Sequence, residues 1–304
     1  MIAQHLAVVG LGLIGGSVAR AARAAGIAGQ ITGFDVDARQ REQALELGVV
    51  DAAPDTVGPA VTGADLVVLA VPVLETGLAL DTLRGALAPD AVLTDVGSTK
   101  SSVIAIVKHT FRELPPNFVP AHPIAGTEKT GVAASDAGLF RNRHVIITPH
   151  EQMSPAAAAR VEALWEAFGA TVERMTPEHH DEIFAATSHL PHVLSFTLVD
   201  MLARMSSSAE LFNYAAGGFR DFTRIAGSSP KMWHDIVRAN RSALVPLIDR
   251  YMVSLKQMRH AIATDDPIHV LEVFTRARNA REHYEADQQR RSAASEDGTG
   301  GGAA

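Results

Sequence analysis

His122 stands in the stretch AHPIAGTEKTG at 121–131, between an apolar run and a loop of small residues. Imidazole titrates near neutrality, so a ring at such a corner can take a proton from a hydroxyl. Pro123 disfavours a helical conformation for the histidine, and Gly126 permits close approach of backbone. A ring that only caps the loop would use the same residues. SHLPH at 188–192 puts His189 and His192 three residues apart. Pro191 is tolerated only in the first turn of a following helix, which places both rings near a positive helix end. Polar contact with an anionic substrate is then possible, with helix capping as the plain reading. A metal site with His179, His180 and Asp181 is disfavoured, because no H-E-x-x-H or comparable ligand set is present. GGFRDFTRIAGSSPKMW at 217–233 offers Arg220, Asp221 and Arg224. Arginine suits a carboxylate gripped by two parallel bonds, although a solvated Arg–Asp pair at a helix end has the same composition.

The elements that must position these groups follow from periodicity. LAVVG (6–10), ITGFD (31–35), DLVVLAV (65–71), AVLTDV (91–96), FVPAH (118–122) and HVIITP (144–149) are apolar and β-branched throughout. That pattern predicts strands covered on both faces. Helical patterns lie between them, near 14–26, 38–48, 74–88 and 100–111, and a helix–strand pair follows at 155–168 and 170–175. Such alternation predicts an α/β, Rossmann-type, doubly wound, mainly parallel sheet over residues 1–176. Beyond Thr176 the patterns are helical, near 177–186, 189–206, 230–260 and 266–288. They predict an all-α domain over 177–288 whose apolar surface exceeds the needs of a small bundle, so a homodimer interface is expected. Residues 289–304 are expected to be a disordered tail.

VVGLGLIGGS carries G-x-G-x-x-G at Gly10, Gly12 and Gly15, after a strand and at the start of a helix. The first glycine permits the turn, the second the approach of a pyrophosphate, and the third close helix–strand packing. Leu13 and Ile14 in this turn, and Val71 and Pro72 after the third strand, are further candidate cofactor contacts. Asp35 ends the second strand, where a carboxylate accepts from a ribose 2′-OH and repels a 2′-phosphate. NAD is therefore expected over NADP, with Arg39 and Arg41 near enough to leave NADP possible. DVGSTKSS at 95–102 is another strand end entering a helix. Ser98, Thr99 and Ser101 are N-cap types, and with Lys100 they could also bind an anion or orient the nicotinamide. His122 would then take a hydroxyl proton while a hydride leaves the same carbon.

Composition excludes other classes. The 304 residues are 47% hydrophobic and 20% charged with a net charge of −7, against the basic surplus of a nucleic-acid binder. There are no cysteines, hence no disulfide scaffold and no thiolate metal site. The N-terminal apolar run lacks a preceding Lys or Arg, and the later apolar segments are short or interrupted by Asp200 and Arg204. Neither a signal peptide nor a membrane span is expected, and a cytoplasmic protein is.

Together, GLGLIGGS, DVGSTK, HPIAGTE, SHLPH and GGFRDFTRIAGSSPKMW resemble the prephenate/arogenate dehydrogenase family of tyrosine biosynthesis, in the same order over about 1–285. The resemblance implies a nucleotide-binding domain, a helical dimer-forming domain, and NAD-dependent oxidative decarboxylation of a cyclohexadienol, prephenate or arogenate. It implies that His122 contacts the ring hydroxyl, with Ser98 assisting. Arg224 would hold a substrate carboxylate, and Arg220 falls where the family often has a basic residue. Ser101, His189 and His192 would lie beside the substrate, and Glu128 and Asp221 would belong to a gating ionic network. A fused mutase or amino-acid-binding regulatory domain would not fit in this length, so tyrosine feedback would act at the active site. Other enzymes with this outline, such as β-hydroxyacid dehydrogenases or imine reductases, would not need HPIAGTE. A non-catalytic NAD(H) sensor would lack turnover.

Overall fold

A computed structural model describes residues 1–206 and 208–297. Five parallel strands form the first sheet: β1 (Ala3–Val9), β2 (Ala28–Phe34), β3 (Leu66–Leu69), β4 (Val92–Asp95) and β5 (Phe118–Val119), in the order β2-β1-β3-β4-β5. Alternate residues of β1 show why these strands are apolar throughout. Leu6 and Val8 pack on one face with Val18, Ala22 and Trp165, and Ala7 and Val9 on the other with Leu80, Val107 and Phe118. The first face is covered by α1 (Leu13–Ala24) and α6 (Pro155–Ala167), the second by α3 (Val57–Val61), α4 (Thr76–Leu83) and α5 (Ser101–Phe111). A smaller helix, α2 (Ala38–Glu46), follows β2. Each fully buried Leu or Val on these strands contributes about 1.5–3 kcal/mol.

FVPAH does not form one strand. Pro120 has no N–H to continue the ladder, so β5 stops at Val119 and a new strand, β6 (Ala121–Pro123), begins in a second sheet. There β6 runs antiparallel to β7 (His144–Ile147), with His122 opposite Ile146, and β7 runs parallel to β8 (Thr171–Arg174). His122 thus lies just past the parallel sheet, on the first strand of its neighbour.

The helical region opens with α7 (Pro177–Phe184), which passes through a single π turn at Ala185–His189 into α8 (Leu190–Ala203). His189 and His192 therefore occupy one continuous helical run and not a free helix start. Pro191 stands two residues past the end of the π turn, in the first turn of α8. Short helices α9 (Ser208–Asn213) and α10 (Gly217–Thr223) follow, the latter beginning at the Gly217–Gly218 pair. The single helix expected over 230–260 is two, α11 (Pro230–Ala239) and α12 (Arg241–Ala263). They divide at Asn240, whose side chain is bonded elsewhere in the core.

Packing groups Met1–Val245 into one compact unit and Pro246–Ala304 into another, and this division by contact falls at the proline inside α12. In the second unit α13 (Pro267–Asp297) extends through much of the stretch expected to be a tail. Residues 289–297 contain no glycine or proline and are compatible with helix, whereas 298–304 lie outside the described residues. Tyr251, Met252, Leu255, Ile262, Ile268, Leu271 and Phe274 of this unit are exposed. Among the described residues no helix is long and apolar enough to cross a membrane.

Candidate active site

The cofactor end is built on backbone geometry. Gly10 has a φ of +100°, and a Cβ there would meet the Ala70 carbonyl oxygen at 2.4 Å. A Cβ on Gly15 would lie 1.9 Å from the Gly10 oxygen, whereas the Cβ direction of Gly12 faces open space. Helix α1 starts at this turn with no side-chain cap and no acidic residue in its first turn, which leaves its N–H groups for an anion. Asp35 accepts from the Leu11 N–H at 2.8 Å and the Asp37 N–H at 2.9 Å, so its carboxylate is fixed beside the glycine turn. Each oxygen retains a lone pair for a ribose hydroxyl. Arg41 donates to the Asp35 carbonyl at 2.7 Å and lies over the Phe34 ring, and is thereby drawn to the backbone. Leu13, Ile14 and Val71 are half-buried and Pro72 is exposed at the same end of the sheet. These residues fit a dinucleotide. Gly15→Ala is expected to weaken NAD binding about tenfold or more in a fluorescence titration, because backbone cannot yield by that distance without moving the turn. Unchanged affinity would show that the third glycine does not set the geometry.

His122 is half-buried at the centre of a polar cluster. Its Nδ1 lies 2.8 Å from His180 Nε2, and His180 Nδ1 lies 2.9 Å from Asp181 Oδ1. Asp181 also accepts the N–H groups of Lys100 at 2.8 Å and Ser101 at 2.9 Å. The start of α5 is thus capped from a residue about eighty positions later, and not by Ser98, Thr99 or Ser101. Ser101 is committed to Asp181 and Thr99 to Ser102, while Ser98 remains half-buried at the turn. Phe184 packs edge-on against the His122 ring at 5.0 Å. Burial, then repulsion from His180, Lys100 and His189, pushes His122 well below the ordinary imidazole range, so the ring is a neutral base at pH 7.

Lys100 is not a ligand for an external anion. It is fully buried, with Nζ bonded to Asp95 and donating to the Ala121 carbonyl at 2.7 Å. Asp95 in turn accepts the Ala121 N–H at 3.2 Å, so the pair brackets both peptide groups of the residue preceding His122.

His189 and His192 separate into different roles. His189 is 1% exposed and accepts from the Asn240 amide at 3.0 Å, so its Nδ1 is held in the protein interior. Burial lowers it to about 4, which keeps it neutral. His192 is half-buried, stacks on Trp233 with ring centroids 3.4 Å apart, and donates from Nδ1 to the Ser188 carbonyl at 2.8 Å. Its other nitrogen is therefore bare. Burial lowers its pKa, and nearby Arg224 also opposes its protonation. Arg224 meets Glu128 at 3.6 Å, both side chains being largely exposed. Such a pair is worth about 0–1 kcal/mol and releases easily. Arg220 and Asp221 are exposed, and among the described residues no ion pair joins Asp221 to Glu128 or Arg224. The expected gating network is here a single pair. Among the described residues no three His, Asp or Glu side chains converge as a metal set.

Sequence reasoning missed His180, Asp181, Asn240 and Trp233 as parts of this cluster. In the sequence His180 and Asp181 stand out only as polar neighbours of His179, and nothing local links them to His122.

Residues 18–174 match the family model described as prephenate dehydrogenase, nucleotide-binding domain, and residues 176–276 match prephenate dehydrogenase, dimerization domain. The chain belongs to the prephenate dehydrogenase family. Among relatives of this prephenate dehydrogenase family member, the cyclohexadienyl dehydrogenase of Zymomonas mobilis is 40% identical over 282 residues, covering 91% of this chain and 95% of the relative. The prephenate dehydrogenase of Bacillus subtilis is 35% identical, covering 90% and 74%. The crystal structure of prephenate dehydrogenase from A. aeolicus with hydroxyphenyl propionate and NAD+ superposes with a TM-score of 0.86 at 35% identity, covering 92% of this chain and 98% of that one. The family accounts for the juxtaposition of glycine turn, buried histidines and exposed arginine in a dehydrogenase.

Proposed function

We propose that this enzyme catalyses the NAD-dependent oxidative decarboxylation of prephenate to 4-hydroxyphenylpyruvate, and works in the cytoplasm as a homodimer. The observation that carries the reading is His122. It is a neutral, half-buried imidazole beside the carboxyl ends of strands that also hold the dinucleotide turn. NAD, when bound, accepts the hydride that leaves the hydroxyl-bearing ring carbon. His122 takes the hydroxyl proton as that carbon becomes a carbonyl. The bond between the ring and its carboxylate then breaks, CO2 leaves, and its electron pair completes the aromatic ring. The resulting phenolate oxygen recovers the proton from His122, so no net proton is consumed. Aromatisation supplies the driving force, and the protein's work is orientation and proton handling.

Ser98, half-buried at the β4–α5 turn, assists at the hydroxyl. Arg224 holds a substrate carboxylate, exchanging Glu128 for it on binding, and His192 presents its bare nitrogen nearby; Arg220 adds positive charge on the same side. Arg224→Ala is expected to raise KM for prephenate about 10–100-fold, the loss of a charge-assisted hydrogen bond pair, with kcat changed less. An unaltered KM would remove Arg224 from the substrate. The exposed apolar residues of α12 and α13, in a region matching a dimerization domain, support the homodimer.

Arogenate, which carries an amino acid side chain in place of the keto acid, is the second reading, and the relative from Z. mobilis bears a name that covers both cyclohexadienols. NADH formation measured with prephenate and with arogenate, each with NAD and NADP, tests the assignment. Turnover is expected to be highest with prephenate and NAD. No turnover with either substrate would overturn the function.

A further inference from the structure

We propose that His180 and Asp181 are positioning residues that hold His122 in the tautomer with Nε2 unprotonated, so that this nitrogen receives the substrate hydroxyl proton. The inference rests on the proposed reaction for its catalytic meaning, but the tautomer itself follows from the chain of bonds. An ionised carboxylate only accepts hydrogen bonds. Asp181 accepts from two backbone N–H groups as well as from His180, and although burial opposes its charge these donors outweigh it and hold it below the usual carboxylate range. His180 Nδ1 must therefore carry a proton. His180 is wholly buried, and burial keeps it neutral, so its Nε2 is bare. That bare nitrogen lies 2.8 Å from His122 Nδ1, which can only be a donor. Neutral His122 is then left with its lone pair on Nε2.

The other charged and titratable groups around His122 agree with this assignment. The Lys100 ammonium on α5 is neutralised by Asp95 of β4, and it opposes a second positive charge on His122 or His180. His189, the last residue of the π turn, stays neutral, lowered by burial to about 4. When Nε2 receives the substrate proton, the imidazolium formed is joined through its Nδ1–H and the His180 ring to the Asp181 carboxylate. Asp181 need not become protonated for this to stabilise the charge. Among the described residues no other pair connects His122 to a negative group.

Two experiments test the proposal. Long-range 1H–15N spectra of the 15N-labelled enzyme without substrate report which imidazole nitrogen carries the proton. A protonated Nδ1 and a bare Nε2 on His122 are expected, and the opposite tautomer would overturn the proposal without any variant being made. In kinetics with prephenate and NAD, His180→Phe keeps ring volume but removes the acceptor, and Asp181→Asn removes the charge. Each is expected to lower kcat about 100-fold or more with KM changed by less than about threefold, as for the loss of an orienting group behind a catalytic histidine. A His180→Phe enzyme with wild-type kcat would also sink it. If the wild-type enzyme turned over neither prephenate nor arogenate while His122 showed a protonated Nδ1, the reaction assigned above would fall and the tautomer assignment would stand.

Discussion

Replacement of His122 by Asn is expected to lower kcat by roughly two to four orders of magnitude, with KM for prephenate and NAD changed only a few-fold. Asparagine has no lone pair on a basic nitrogen, so the hydroxyl proton has nowhere to go as the ring carbon becomes a carbonyl. In the proposed reaction substrate binding rests mainly on Arg224 and cofactor binding on the glycine turn, and the change touches neither. The pH dependence carries a second signature. Burial and the neighbouring positive groups push His122 well below 6.5, so its base form persists on the acid side of that value. The acid limb of kcat/KM is therefore expected below pH 6.5 for the wild-type enzyme. Stability follows the same linkage with a definite sign. The unfolded chain protonates this histidine near its ordinary value while the folded chain resists, so stability is lost as pH falls below that value. The Asn variant should lose less on acidification. Stopped-flow NADH formation and denaturation at pH 5 and 7.5 measure both effects, and a kcat within tenfold of wild type would remove His122 from the chemistry.

Lys100→Met is expected to destabilise the protein by about 3–5 kcal/mol, the effect of leaving one half of a buried ion pair without its partner. Lys100 has no solvent exposure and Asp95 is 2% exposed, so water cannot replace the lost ammonium. Methionine fills most of the volume, which confines the effect to the charge and to the Ala121 carbonyl, left without its donor. Equilibrium denaturation in urea reads the loss as a lower midpoint. The double variant Asp95→Asn/Lys100→Met should recover part of it, since no uncompensated charge remains. An unchanged midpoint for Lys100→Met would show that the pair contributes nothing. Activity should fall with stability, because the same pair fixes both peptide groups of Ala121 and hence the strand that carries His122.

The parallel sheet and the glycine turn were legible because each has a local cause. Apolar runs such as LVVL can only be strands buried on both faces, and glycines at 10 and 15 are required where a Cβ would strike backbone. Other features were misread because their cause is remote in sequence. The serines and threonine of DVGSTKSS have the composition of a helix cap, yet Asp181 caps that helix, and it does so only once α7 packs against α5. His189 and His192 look equivalent in SHLPH, and the π turn separates them, burying one against Asn240 and stacking the other on Trp233. Lys100 has the composition of an anion ligand, and only its burial against Asp95 shows otherwise.

By itself the sequence determined the run of parallel strands, the helical second half, the glycine turn between β1 and α1, and a histidine at the end of the fifth apolar run. Those follow from side-chain volume, backbone freedom and periodicity, all of which act within a few residues. The tertiary structure alone decided what stands behind that histidine. A neutral imidazole presents its lone pair on one nitrogen or the other according to the partner it meets. His122 meets His180, and through it Asp181, only when helix and sheet are packed.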